Sequence, residues 1–220
     1  MILETVAKLG KVIFLSPYMN FNLTFGLNLA RYLVGSSQFI YIFYEFDIPP
    51  SLINMLSLNE AERIRISKNL HSITIDENST MIIIVNHDIL NLSDLVKIKI
   101  KNLFIFLPRS KLSENSYGLH ICKVHRISTH VYLLELRKQK YFIKINGVHV
   151  EEITIPKDVD LVIVELNKLI NNFSVVKASD FIKYCIVKLS FSREECIDLV
   201  RQAISLGIVK YKGGYLIPVQ

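Results

Sequence analysis

The sequence predicts an α/β protein in two parts: a doubly wound, mostly parallel sheet, followed by a small helical domain that ends in a β-hairpin. Two observations carry this prediction. Short apolar stretches of strand length alternate with helical stretches up to Pro156, and three helical stretches and a hairpin follow it. We therefore divide the chain into domains at residues 1–156 and 157–220.

Composition indicates a folded protein of a reducing compartment. Half of the 220 residues are hydrophobic, which is enough for two cores. No apolar run approaches the ~20 residues that cross a bilayer, and the start lacks the features of a signal peptide, so we expect no membrane partner. The three cysteines are odd in number and have no CxxC spacing, which favours buried thiols and a cytoplasmic location.

The first strand and helix lie within residues 11–34. Val12–Leu15 reads as an apolar strand, and we expect a helix from about Thr24 to Val34, since its apolar residues recur at helical spacing. The loop between them stands where nucleotide-binding folds hold phosphate. Such loops use glycines for close backbone approach, a lysine for the phosphate oxygens and a Ser or Thr for magnesium. Residues 16–24 contain no glycine and no lysine.

Further βαβ units follow in the first domain. Strands are predicted at Phe39–Phe46, Met81–Val85 and Leu103–Leu107, and the last two are continuous apolar runs typical of a parallel sheet buried on both faces. Helices are predicted at Ser51–Leu58 and Glu60–Asn69. Strands separated by helices in this way favour a doubly wound sheet.

After Pro108 the pattern changes to antiparallel strands. Residues 110–118 form a polar loop, and three strand patterns follow, with a turn predicted at Lys138–Lys140: Lys123–Ile127, Val131–Arg137 and Tyr141–Ile145.

The last domain is predicted to be a winged helix–turn–helix. Helices are expected at Leu161–Phe173, Ala178–Lys188 and Ser192–Leu206, and Ser192 with Glu195 forms the pattern of a capping box. Two short strands around Gly213 and Gly214 then form the wing. An unspecialised three-helix bundle is the alternative.

The order of parts in residues 11–146 resembles the RecA/RadA/KaiC-like ATPase core. In that comparison Ser16 begins the phosphate loop, Asn22 stands at the lysine position and Leu23 at the magnesium-binding position, with Thr24 one place later. Glu45, at the end of the second strand, matches the catalytic glutamate of the family. The aspartate that organises magnesium has no match, because Asn86 stands near its position.

These departures predict a non-catalytic relative. Without the lysine and the glycines, the loop lacks both the fixed cation and the space that a nucleotide's phosphates require. We therefore expect no ATP hydrolysis, no cofactor and no catalytic residue, with Ser16, Asn22, Thr24 and Glu45 as a degenerate nucleotide site. The alternative is an enzyme that uses groups at the strand ends, such as Glu45 and Asp88. A metal site at His120, Cys122 and His125 lacks a fourth ligand at a standard spacing.

A cluster of basic residues predicts contact with DNA. Between Lys97 and Lys144 there are eleven Lys or Arg residues and two acidic ones. The family resemblance places the loop after Leu107 towards the DNA path, where Arg109 and Lys111 would meet phosphates and Tyr117 would stack on a base. The candidate DNA-binding residues are Lys97, Lys99, Lys101, Arg109, Lys111, Tyr117, Lys123, Arg126, Arg193, Arg201, Lys210 and Lys212. A solvated basic surface is the alternative for each group.

The sequence therefore predicts a DNA-associated accessory protein that acts in recombination, repair or another DNA transaction. Its expected partners are DNA and an active RecA-like paralogue or other protein subunits. The alternative is a protein-interaction subunit of a larger complex that does not touch nucleic acid. The last domain has nine basic and seven acidic residues, a balance that fits either partner.

Overall fold

The structure is a computed structural model that describes residues 1–54, 56–68, 76–86, 92–108, 118–173 and 175–218. The chain forms two compact units. The first contains Met1–His125 and Leu134–Glu152, and the second contains Arg126–Leu133 and Ile153–Gln220. The second unit thus includes a short segment that precedes the domain boundary expected from the sequence.

A mostly parallel sheet organises the first part of the chain. Within the described residues, nine strands form one sheet in the order β3-β2-β4-β5-β1-β6-β7-β8-β9. The strands are β1 (Lys11–Leu15), β2 (Ile40–Tyr44), β3 (Ile64–Ser67), β4 (Thr80–Ile84), β5 (Asn102–Leu107), β6 (His120–Arg126), β7 (Val131–Leu136), β8 (Gln139–Asn146) and β9 (His149–Ile153). The helices that accompany them are α1 (Ile2–Leu9), α2 (Met19–Leu33), α3 (Pro50–Ile53), α4 (Leu58–Arg63) and α5 (Leu92–Lys97).

Helices cover both faces of the parallel strands. The strands from β3 to β6 pair in parallel, with β1 between β5 and β6. On one face, Phe14 of β1 and Phe106 of β5 stack at 4.4 Å between ring centroids, and Phe25 of α2 packs against Phe14 at 5.4 Å. On the other face, Leu95 of α5 joins a cluster of strand residues that includes Ile13. The predicted α/β architecture with a large, mostly parallel sheet is confirmed.

The last strands of this sheet form an antiparallel meander. Four residues link β6 to β7, and two residues link β7 to β8 and β8 to β9. Links this short cannot make a parallel crossover, so each of these strands runs antiparallel to the one before it. The strand patterns after Pro108 therefore predicted the correct type of structure.

Two helix predictions were wrong at their boundaries. The helix expected over Glu60–Asn69 ends at Arg63, and Ile64–Ser67 is an edge strand parallel to β2, because its apolar residues alternate at strand spacing. Helix α2 begins at Met19, five residues earlier than expected. The polar residues Asn20, Asn22 and Thr24 made this first turn look like a loop.

The turn between β7 and β8 was also misplaced. It consists of Arg137 and Lys138 alone, and the expected turn residues Gln139 and Lys140 already belong to β8. Two-residue turns of this kind are recognised in sequences by Asn-Gly or Asp-Gly, which are absent here.

Gly26 lets α2 approach the sheet closely. A Cβ atom at this position would lie 3.0 Å from Cδ1 of Ile84 and 3.5 Å from Cγ2 of Ile82. We expect Gly26→Val to lower the free energy of unfolding by about 2 kcal/mol, because the added carbons overpack a filled core. Gly35 has no atom within 4 Å of its Cβ position, so Gly35→Val is the matched control, with a change within about 0.5 kcal/mol. Urea unfolding curves measure both, and equal midpoints would contradict the close approach.

The second unit combines helices with a small sheet. Its elements after residue 156 are α6 (Lys157–Phe173), β10 (Val176–Lys177), α7 (Ala178–Leu189), α8 (Arg193–Ser205), β11 (Val209–Lys212) and β12 (Tyr215–Pro218). The strands pair in the order β10-β12-β11, and residues of all three helices share one buried cluster. Ser192 and Glu195 form the predicted capping box at the start of α8.

The longest helix is α6, with 17 residues. Across the described part of the chain, no helix combines the length and the apolar character needed to span a bilayer. The three cysteines are free and buried, as their spacing predicted.

Candidate functional site

The turn after β1 leaves little backbone for a phosphate. Because α2 begins at Met19, only Ser16, Pro17 and Tyr18 link the strand to the helix. The N–H of Ser16 donates to the carbonyl of Leu107 at 2.7 Å, and the N–H of Tyr18 donates to Oγ of Ser16 at 3.3 Å. Proline has no N–H. The link therefore offers no unused backbone donor of the kind that holds phosphate.

The side chain of Asn22 closes this turn from inside. Asn22 is 1% exposed, and its Nδ2 donates to the carbonyl of Ser16 at 3.1 Å. Its backbone N–H donates to the carbonyl of Tyr18 at 2.9 Å, as expected within a helix. Oδ1 of Asn22 is buried and has no partner among the described residues. The amide thus holds the strand end and the helix start together at the position that the resemblance gives to a lysine.

Apolar side chains occupy the positions on either side of Asn22. In the phosphate-loop pattern a glycine precedes the lysine, but here Phe21 precedes Asn22 and is fully buried. Its ring stacks on Phe25 at 5.2 Å between centroids. Leu23, which the resemblance aligns with a magnesium-binding residue, is 2% exposed. Phe21, Asn22 and Leu23 of α2 are therefore part of the core.

The other residues of the predicted nucleotide site lie apart from this turn. Glu45 directly follows β2, and two strands separate β2 from β1, so the strands are roughly 14 Å apart. Thr24 is buried within α2, and its carbonyl accepts a hydrogen bond from Nδ2 of Asn28 at 2.8 Å. Of the four predicted residues, the structure joins Ser16 and Asn22 by a hydrogen bond, and Thr24 and Glu45 take no part in it.

The basic residues of the central segment fall at two ends of the sheet. Lys97, Lys99 and Lys101 precede β5, at the edge where the parallel strands begin. Lys97 pairs with Asp94 at 3.3 Å, and the ammonium of Lys101 donates to the carbonyl of Ser36. Since Lys123 pairs in register with the last residue of β1, it lies at the opposite edge, on the order of 20 Å away along the strands.

Lys123 belongs to a small pocket that we call the basic pocket. This pocket has a volume of about 220 Å³ and lies between β6 and the turn that joins β7 to β8. Its lining residues are Ile121, Lys123, Glu135, Arg137, Lys138, Gln139 and Lys140. Four cations and one carboxylate therefore surround a volume below the ~300–1,000 Å³ of typical small-molecule sites.

The turn of the basic pocket has an uncommon backbone. Arg137 and Lys138 both have positive φ values, 52° and 66°, which non-glycine residues adopt at a cost of about 1 kcal/mol each. Asparagine and glycine are the residues that such two-residue turns favour. Here the turn instead holds two long basic side chains, both exposed, at the mouth of the pocket.

Neighbouring groups leave the basic pocket positively charged. The carboxylate of Glu135, the one acidic group among the lining residues, lies 3.5 Å from Nε2 of His125. Burial, with the charge of Arg137, lowers the pKa of His120 below its ordinary value, so this imidazole is neutral at pH 7. On β8, Phe142 is half-buried and alternates to the same side as Lys140 and Lys144. A partly exposed ring beside lysines is a surface on which a base can stack.

Other predicted DNA-binding residues of the central segment do not join this pocket. Arg126 is three positions from Lys123, which places it on the other face of β6, and its Nε donates to the carbonyl of Ser128 at 3.3 Å. Arg109, Lys111 and Tyr117 lie outside the described residues.

In the second unit, the basic residues of α8 are balanced by acids. Arg193 and Arg201 are exposed, but so are Glu194, Glu195 and Asp198, and Arg201 pairs with Asp198 at 3.2 Å. Lys210 and Lys212 are exposed on β11. The exposed charges of α8 are therefore mixed, with two cations and three carboxylates, and they attract phosphate less than an all-basic helix would.

Sequence reasoning missed Arg137, Lys138 and Lys140 as site residues, although it counted their charges. The available signal was the group of basic residues at the junction of two strand patterns, where a turn was expected. The metal alternative finds no support within the described ranges, where no three His, Cys, Asp or Glu residues are arranged to hold an ion. His120 and Cys122 lie on one side of β6 and His125 on the other.

Comparison of the sequence with protein-family models and with curated proteins finds no match. The functional conclusions therefore depend on the geometry described above.

Proposed function

We propose that this chain is a non-catalytic relative of the RecA/RadA/KaiC-like ATPases that binds the backbone of single-stranded nucleic acid, as an accessory protein in a DNA transaction such as recombination or repair. The basic pocket carries this proposal. Four cations that line one open hollow, with a single carboxylate among them, fit the phosphates of a polyanion.

The strained turn supports the same proposal. Arg137 and Lys138 both have positive φ values, and both line the basic pocket. Asn and Gly would adopt these φ values with less strain than Arg and Lys. Residues that keep such backbone strain are concentrated at functional sites. Phe142 adds an aromatic surface of the type that lets single-strand binders tolerate many sequences.

The turn at Ser16 supports the non-catalytic part. Its backbone donors at Ser16 and Tyr18 are already used, and Asn22 occupies the lysine position as an uncharged residue bonded to Ser16. ATP hydrolysis depends on a fixed cation and on magnesium at this place. We therefore propose that partners with intact sites, such as an active paralogue, supply any ATP turnover.

The second unit supports the proposal of a winged helix. Its elements follow the order α6, β10, α7, α8, β11 and β12, and its three strands form one sheet beside the helices. Since Arg193 and Arg201 of α8 border an apolar groove and the same helix exposes three acids, we assign the nucleic-acid contact to the basic pocket and not to this helix.

Fluorescence anisotropy tests the proposal. A labelled single-stranded oligonucleotide and its duplex are titrated with the protein at low salt, and ATP turnover is assayed in the same preparation. We expect single-strand binding with little sequence preference and turnover at background. Absence of binding at low salt would contradict the nucleic-acid part of the proposal. ATP turnover above background would contradict the non-catalytic part.

A protein-interaction subunit is the second candidate function. Large apolar side chains are exposed in the second unit, among them Phe173, Ile186 and Val187 at 67%, 36% and 85% exposure. Apolar surface of this kind marks contact with other proteins more often than with nucleic acid.

A further inference from the structure

We propose that the second unit binds an amphipathic, acidic helix of a partner protein in a groove between α7, α8 and the β11–β12 hairpin. This site is separate from the basic pocket and does not depend on nucleic-acid binding. The groove has a volume of about 820 Å³.

The floor of the groove is apolar and reaches into solvent. Ile182 and Ile186 of α7, Ile197 and Val200 of α8, and Leu216 of β12 line it. Ile186 and Tyr211 remain 36% and 59% exposed at its margins. A small ligand in the groove would leave both of these side chains in water, whereas a helix laid along it would cover them.

Side chains at helical spacing face the groove from both helices. On α7 the lining residues Ser179, Ile182, Lys183 and Ile186 recur at intervals of three and four. On α8 the corresponding stripe is Arg193, Ile197 and Arg201. Each of the two helices therefore contributes a row of anchor positions to the groove, as the walls of grooves that receive a helix do.

The charge of the rim identifies the chemistry of the occupant. Among the described lining residues three are basic, Lys183, Arg193 and Arg201, and none is acidic. Neither Lys183 nor Arg193 is ion-paired within the described part of the chain, and Arg201 forms an ion pair with the exposed Asp198. Phosphate polymers would match these charges but would gain nothing from a floor of isoleucines, so the combination favours a protein helix with carboxylates beside an apolar face.

The spacing of the cations predicts the spacing of the acids. Arg193 and Arg201 are eight residues apart on one helix, which is about 12 Å along its axis. A partner helix that lies along α8 meets both arginines when its own carboxylates are also about two turns apart. Tyr211, with an amphipathic ring at the margin, is the type of residue that anchors such contacts.

Synthetic peptides of about 20 residues test the proposal, with the full-length protein and fluorescence anisotropy as the readout. One labelled peptide carries leucines at i, i+3, i+4 and i+7 with glutamates two turns apart beside them. A second has the same composition with the glutamates moved to the opposite face, so that its net charge is unchanged. We expect the first peptide to bind at least about tenfold more tightly than the second.

Variants at exposed positions locate the contact. Ile186→Asp and Lys183→Glu are each expected to abolish the preference between the peptides. Lys210→Glu is the matched control, since Lys210 alternates away from Tyr211 on β11 and does not line the groove. Circular dichroism melts verify that each variant is folded.

Three outcomes would overturn the proposal. Equal binding of the two peptides, or no binding of either, would exclude an acidic helix as the occupant. Self-association of the protein that Ile186→Asp removes would assign the groove to a second copy. Loss of oligonucleotide binding in Ile186→Asp would assign it to nucleic acid.

Discussion

Replacing Arg137 and Lys138 with Asn and Gly is expected to stabilise the protein and to weaken its binding to single-stranded DNA. Both residues have positive φ values, which the new pair adopts with less strain. We expect the free energy of unfolding to rise by about 1 kcal/mol, since the relief of strain exceeds the loss of chain entropy at glycine. We expect the affinity for an oligonucleotide at low salt to fall about tenfold, because two phosphate contacts are lost.

The opposite signs of these two effects make the prediction specific. A substitution that weakened binding by damaging the fold would lower stability as well. Lys97→Gln with Lys99→Gln removes the same charge at the far edge of the sheet and is the matched control, expected to leave binding within about twofold. Urea unfolding and anisotropy measure both quantities. A variant that is more stable and binds as well as the natural protein would show that the turn has no part in binding.

Asn22→Lys is expected to destabilise the protein strongly and to create no ATPase activity. Asn22 is 1% exposed and bonded to Ser16, so a lysine would lose that bond and bring a charge into the core. We expect the free energy of unfolding to fall by about 3 kcal/mol or more. Turnover should stay at background, because Leu23 cannot bind magnesium and the donors of the turn are already used.

Asn20→Lys is the control for this substitution. Asn20 is exposed in the same first turn of α2, and a lysine there should cost at most about 1 kcal/mol, from its unfavourable position at a helix start. Thermal melts and a phosphate-release assay measure the two variants. ATP turnover by a stable Asn22→Lys protein would mean that the turn after β1 can rearrange to bind phosphate. It would contradict the claim that the Asn22 amide closes this turn.

The sequence predicted the strands of the parallel sheet well because their burial is extreme. Met81–Val85 and Leu103–Leu107 are apolar at almost every position, and the structure buries them on both faces. The capping box at Ser192 was predictable for a different reason, since the pattern of two reciprocal bonds is short and local.

The predicted boundaries of two helices were wrong because tertiary contacts, and not local sequence preferences, determine the structure there. Asn22 reads as a loop residue, yet it is buried in a helix because its amide ties that helix to the preceding strand. Ile64–Ser67 is four residues long and forms a strand because it pairs with β2. This pairing outweighs the local preference of the sequence for a helix.

The candidate sites depend on contacts between distant residues. Lys123 and Lys138 come together only through the β6–β7–β8 meander, and no spacing in the sequence gives that contact. The groove of the second unit likewise joins α7, α8 and the terminal hairpin. The count of basic residues pointed to the segment that contains the basic pocket, but the fold separates the lysines of this segment at the two ends of the sheet.

The salt dependence of oligonucleotide binding tests the central claim most directly. For single strands, the logarithm of the association constant falls with the logarithm of salt concentration by about 0.7 for each phosphate neutralised. We expect the slope of the Arg137→Asn, Lys138→Gly protein to be shallower than that of the natural protein by about 1.4, because two phosphate contacts are lost. Identical slopes, or no binding by the natural protein at low salt, would contradict phosphate recognition by the basic pocket.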